Sequence, residues 1–178
     1  GNPFIAAVQD TYVRDNSETG DQHKREGELI VKNDHTGYSR KAVMKFPLDE
    51  ISADLEHVTL LFEFTGMPEE TFSDLSVYRI EPDWDESEIT WENYPERIGE
   101  PIANVTLEDI GRSLVQEIDV TELVKQAIAD GESEISFDFS IPDYSKNILE
   151  IINYKETTAH KATAHFRVDS QHNTSVKM

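Results

Sequence analysis

The chain has 178 residues, with 36 Asp and Glu against 16 Lys and Arg and a formal charge of −20. At roughly 150 residues per domain this is one domain, long enough for a real core. No stretch approaches the ~20 apolar residues of a bilayer span, no cysteine offers a disulfide, a thiolate or a zinc ligand, and so acidic a surface does not suit nucleic acid.

No cleavable leader pattern opens the chain, and Gly1 reads as a tag remnant left after trimming. Alternation of period two then recurs, which marks strands half-buried against a core. In the first run Val8, Asp10, Tyr12 and Arg14 share one face, with Thr11 and Val13 on the other. Glu28, Ile30 and Lys32 alternate with Leu29 and Val31, and Ala42, Met44 and Phe46 alternate with Lys41, Val43 and Lys45. The basic side chains fall on one register, away from the apolar one. Later candidates are Val58 to Phe64, Leu75 to Ile80, Leu114 to Ile118, Glu134 to Phe139, Ile148 to Asn153 and Ala162 to Val168. About nine short strands separated by turn residues predict an all-β, antiparallel sandwich.

One segment breaks the period. Asp119-Val-Thr-Glu122 reads as a capping box, the Asp taking the Glu122 amide and Glu122 reaching back. Val120, Leu123, Val124, Ala127 and Ile128 follow at helical spacing, and Gly131 supplies a stop, which predicts one short amphipathic helix packed on the sandwich. With no repeat, low-complexity run or linker, residues 1–168 form a single domain and 169–178 a poorly ordered tail.

The charge is uneven along the chain. Gly1 to Phe46 holds seven basic residues (Arg14, Lys24, Arg25, Lys32, Arg40, Lys41, Lys45) and seven acidic ones, while Pro47 to Glu150 holds 5 and 27, and Ile151 to Met178 holds 4 and 2. Five of the six histidines also lie in the two end segments. If the ends of the chain pair in space, they make one patch of opposite sign to the body, suited to an anionic partner.

Between strands, Trp84-Asp-Glu-Ser-Glu-Ile-Thr-Trp91, with Pro95 close behind, places two indoles seven apart among acids. Indoles gain much by burial, so both filling the core edge is the plain reading, and a sugar platform the alternative. The ordered series Asp10-Thr-Tyr-Val-Arg14, Leu29-Ile-Val-Lys32, Arg40-Lys-Ala-Val-Met-Lys-Phe46, Val77-Tyr78, Trp84-x6-Trp91-x3-Pro95 and Ile118-Asp-Val-Thr121-x2-Val124 resembles the DNRLRE-type, disaggregatase-related domain, carbohydrate-binding module family 96. The likeness runs from about Ala7 to Val168. It implies a jelly-roll-like β-sandwich, found as a non-catalytic module of secreted or cell-surface polysaccharide-degrading proteins of bacteria and archaea. It also implies a basic surface on the N-terminal strands that binds uronate polysaccharides such as alginate, with Arg14, Lys32 and Arg40 in the basic positions, and a structural calcium in some members.

A polyuronate offers one carboxylate per sugar, which a guanidinium meets with two parallel hydrogen bonds. Arg14, Lys24, Arg25, Lys32, Arg40 and Lys41 are candidates to track successive carboxylates, and Tyr38 or Tyr154 to stack on a sugar ring. At ~1 kcal/mol or less per exposed ion pair, five or six contacts predict roughly micromolar to millimolar affinity that falls with salt. The plain alternative is that these cations are solvated strand faces or neutralise acids such as Asp15 and Glu28. For calcium, Asp10 and Glu156 are candidate oxygen ligands where the first and last strands approach; Asp83-Trp-Asp-Glu-Ser-Glu88 lacks the glycine of a calcium loop. Gly-x-Ser-x-Gly, His-Glu-x-x-His, phosphate-loop and dinucleotide motifs are absent, so no enzyme is predicted. The alternatives are a structural spacer or envelope adhesion module that binds no sugar, and a polysaccharide lyase using Tyr38 or His35 as base beside Arg40.

Overall fold

A computed structural model describes residues 4–15, 28–52, 54–66, 72–108, 114–144, 148–152 and 165–170. Among them are eleven strands and one helix: β1 (Phe4–Ala6), β2 (Gln9–Arg14), β3 (Glu28–Lys32), β4 (Arg40–Pro47), β5 (Leu55–Gly66), β6 (Phe72–Ile80), β7 (Ala103–Glu108), β8 (Leu114–Asp119), α1 (Thr121–Ala129), β9 (Glu134–Ser140), β10 (Ile148–Ile152) and β11 (His165–Ser170). All nine strands expected from alternation are present. β1 and β7 are additional: the first is too short to show a period, whereas in the second Ala103, Val105 and Leu107 do alternate with Asn104, Thr106 and Glu108.

Every strand pair is antiparallel. One layer is built on the long β5, which takes β8 along one edge and β11, then β10, along the other, with β1 beyond β11. The second layer runs β2, β4, β9, β6, β7. β10 also pairs along β3, and β3 meets β4 at Lys32 opposite Arg40, so a hydrogen-bonded corner joins the layers. Few partners are neighbours in sequence, and the crossing connections give the jelly-roll-like sandwich expected.

Apolar side chains from the two layers meet between them. Phe46 of β4 stacks on Phe166 of β11 with ring centroids 4.0 Å apart, and Phe62 of β5 meets Phe139 of β9 edge-on at 5.3 Å. β5 shows how alternation produces this: Val58, Leu60, Phe62 and Phe64 are buried, while Thr59, Leu61 and Glu63 are not. The helix adds Val124 and Ala127 to the same core, and Gly131 ends it at φ +79°, donating to Ile128 O at 3.0 Å. The capping box does not form. Asp119 instead accepts from the Thr121 amide at 2.9 Å and its hydroxyl at 2.5 Å, an Asx turn that stops one residue short of Glu122.

The expectation that β2 and β4 are half-exposed is also corrected. Their outer face is covered by the segment from Glu81 to Arg97, which forms a second apolar cluster of Trp84 and Ile89 on Val13, Val43 and Ile80. Lys45, on that register, is 3% exposed. Its ammonium lies over the Trp84 ring, 4.4 Å from the centroid, and donates to the Trp84 carbonyl. The tail assigned to 169–178 begins inside β11, which continues to Ser170; residues 171–178 lie outside the described set.

Candidate functional site

The first and last described strands do lie side by side, with Ile5 of β1 opposite Phe166 of β11. The cationic patch is nonetheless not shared between them. The chain crosses to the other layer between β1 and β2, and the basic residues sit on β2, β3 and β4. Arg167 of β11, on the opposite layer, is held by Glu117 at 3.0 Å and lies 3.9 Å from Asp169.

At one end of the second layer the ladder brings the expected cations together. Arg14 stands opposite Arg40, and Arg40 opposite Lys32, so three neighbouring strands each place a basic residue at the same level. The turn between β3 and β4 closes over them. Gly37 takes φ +94°, a left-handed conformation costly for residues with a Cβ. Its carbonyl accepts from Arg14 Nε at 3.0 Å and its amide donates to Asp15 at 3.2 Å. Tyr38 follows, half-exposed, with the Arg14 guanidinium 5.5 Å from its ring centroid and Arg40 donating to its carbonyl at 3.2 Å. Lys32 is paired with Asp34 at 2.7 Å, which lowers the Asp34 pKa below its ordinary value, helped by the His35 amide.

Beside this end lies a cavity of about 330 Å³ on the outer face of β4, β9 and β6. Lys32, Arg40 and Lys41 line one side, Ser76, Tyr78 and Ser140 its sheet side, and Trp91 and Arg97 come from the covering segment. The covering segment is pinned by paired turns: Thr90 and Asn93 exchange side-chain-to-amide bonds at 2.6 and 3.1 Å, and Ile98 N donates to Arg79 O at 2.8 Å. Arg97 therefore returns to β6, where its guanidinium lies over the Tyr78 ring, 3.8 Å from the centroid. Lys41 sits between two rings, 4.2 Å from the centroid of Trp91 and 4.7 Å from that of Tyr94.

A buried carboxylate organises the floor. Asp138 is 0% exposed and accepts from Arg97 at 3.1 Å, Ser140 at 2.9 Å and the Tyr94 hydroxyl. Burial, reinforced by Asp138, holds the Tyr94 phenol well above its usual pKa, so it remains a donor. Burial pushes the Lys41 ammonium below its ordinary value, with the nearby Asp138 opposing and Arg97 adding to that shift. Among the cavity cations, Lys32 has a carboxylate partner in Asp34 and Arg97 has one in Asp138.

The plain reading of the tryptophans is right for Trp84, which is buried and donates to Ser136 at 3.0 Å; Trp91 is half-buried at the cavity. Arg97 and Asp138 were not among the residues expected from sequence. Their signals were there: Arg97 is a lone cation among Glu92, Glu96 and Glu100, and Asp138 lies between two core phenylalanines. Lys24, Arg25, Tyr154 and Glu156 lie outside the described residues. Asp10 is 4% exposed in β2, its amide 3.4 Å from a Glu86 oxygen. Among the described residues no three His, Asp or Glu gather as a metal site, short of the six to eight oxygens calcium takes.

No described helix is long and apolar enough to cross a membrane. No curated protein matches the chain. Among solved structures, it is similar to the CBM22-1 xylan-binding domain from Paenibacillus barcinonensis Xyn10C, at 9% identity over 93% of this chain and 89% of that one, with a TM-score of 0.38. The model of carbohydrate-binding module family 96 matches residues 3–167, so the chain belongs to that family and is a carbohydrate-binding module.

Proposed function

We propose that the cavity lined by Trp91, Lys41, Arg40 and Arg97 is the sugar site, and that the polysaccharide is anionic, carrying uronate or sulfate groups. The observation that carries this reading is the gathering of four cations around one cavity of about 330 Å³ on a chain of net charge −20. Rings and a buried carboxylate hold Lys41 and Arg97 in place before any ligand arrives, which reduces the ordering cost of binding. The cavity size is within the range of small-ligand sites, and its hydroxyls at Ser76 and Ser140 suit sugar hydroxyls. In this reading the module is non-catalytic and serves a secreted or cell-surface polysaccharide-degrading protein of a bacterium or archaeon. The lyase reading gains little support, because His35 turns to the Tyr144 hydroxyl at 3.1 Å and Arg40 engages the backbone carbonyl of Tyr38.

Affinity electrophoresis tests it directly. Alginate, pectin or chondroitin sulfate gels should retard the protein, neutral xylan and glucan gels should not, and added salt should weaken the effect. Lys41→Ala with Arg40→Gln should cut the affinity about tenfold or more, as expected for two lost charge contacts. Unchanged mobility in every gel would instead favour the spacer, and equal retardation by neutral gels would remove the anionic specificity. A structural calcium held by Asp10 and Glu156 belongs to the same proposal. It requires that calcium raise the melting temperature of chelator-treated protein, and an unchanged melting curve removes it.

A further inference from the structure

We infer that an anionic chain seated in the cavity leaves it across β4 toward a second subsite made by Arg14 and Tyr38, and not over β6 and β7. This rests on the reading of the cavity given above and adds to it a direction and a chain-length requirement.

The two exits differ in charge and build. Toward β2, the ladder partner of Arg40 is Arg14, one strand or about 5 Å away; the pair alternates with Lys41 and Val13, so the way out passes the Arg40 end of β4 and not over Val13, which the covering segment buries. Arg40 itself links the two places, because it lines the cavity and bonds to the Tyr38 carbonyl. Tyr38 is 52% exposed although it sits on a turn fixed at both ends: its amide donates to His35 O at 3.0 Å, and Asp15 N donates to Ser39 O at 2.9 Å. An exposed ring on a fixed turn, beside a guanidinium, offers a sugar both a flat apolar face and a charge partner. Among the described residues the acids near this exit are Asp15, engaged with the Gly37 amide, and Asp34, paired with Lys32.

Toward β7 the chemistry reverses. Alternation along β6 puts Asp74 on the same face as the cavity residues Ser76 and Tyr78, and Asp74 is bonded to Thr106 at 2.7 Å. Ser76 is likewise bonded to Asn104 at 2.6 Å, and the next level carries Glu108 opposite Phe72. A second carboxylate or sulfate on that path meets acids and hydroxyl groups already paired with each other. A polymer with closely spaced negative charges is therefore drawn one way only.

The measurement is affinity for a purified uronic-acid disaccharide and hexasaccharide, with melting temperature as a check on folding. The hexasaccharide should bind the unaltered protein more tightly than the disaccharide. Tyr38→Ala and Arg14→Gln should each lower hexasaccharide affinity about three- to tenfold, the scale of one exposed contact, and leave disaccharide affinity within about twofold. Tyr38→Phe should keep the original values, because the ring is what stacks. Asp74→Asn should change neither. Equal loss for both lengths, equal affinity of both lengths, or a gain in hexasaccharide binding from Asp74→Asn would each overturn the inference. If both lengths bind equally and Lys41→Ala with Arg40→Gln lowers both about tenfold, the cavity stands and the second subsite falls; if neither length binds, both readings fall.

Discussion

The two faces of the sheet formed by β4, β9 and β6 are both buried, yet for opposite reasons. The inner face presents Met44, Phe46, Phe137 and Phe139 to the other layer, and its cohesion comes from apolar area and ring packing. On the outer face, alternate residues of the same strands are Lys41, Lys45, Ser136, Asp138 and Ser140, burial there being completed by the Trp84 to Arg97 segment. Any apolar side chain of suitable volume serves on the first face. On the second, each polar group depends on a named partner, so fold and function divide along a single pleat.

Truncating the inner face is expected to cost most. Phe46→Ala removes a ring that stacks on Phe166 and meets Phe137, and should cost about 3–5 kcal/mol in urea unfolding. A loss below about 1 kcal/mol, the range of surface changes, would mean that the core does not depend on this stack. On the outer face, Asp138→Asn weakens the ionic partner of Arg97 and the acceptor of Tyr94, and should cost about 1–3 kcal/mol. Unchanged stability would show that the network is not part of what holds the covering segment. The smallest effect is the pH dependence of Lys41. Its folded pKa lies below the ordinary lysine value, so between the two the unfolded chain binds more protons and stability rises with pH. Affinity for an anionic sugar should fall over the same alkaline window, by about fivefold at most for one exposed charge. Both trends should vanish in Lys41→Met; their persistence would assign them to another group.

Alternation made the inner face legible. β5 reads as a strand because Val58, Leu60, Phe62 and Phe64 recur at every second position, and the helix reads as one because Val120, Val124 and Ala127 do not. The local cap is not legible in the sequence, since Asp119 and Glu122 fit two turn geometries and only the backbone decides between them. The site was half legible. Arg14, Lys32, Arg40 and Lys41 come from strands that alternation marks, while the pairing that aligns them emerges only in the fold. Arg97 reaches them only because the covering segment folds back onto β6, a long-range event that no local period records. For the same reason the outer-face lysines looked solvated: Lys45 alternates with core residues, and nothing nearby in sequence announces the indole that covers it.

The two tryptophans stand under two different lysines, Trp84 sealed beneath Lys45 and Trp91 at the cavity beside Lys41. Their emission therefore divides into a silent reference and a reporter whose nearest cation is the one an incoming anion would engage. Occupancy of the cavity is expected to register as a change in one indole against a constant background from the other, with no label attached.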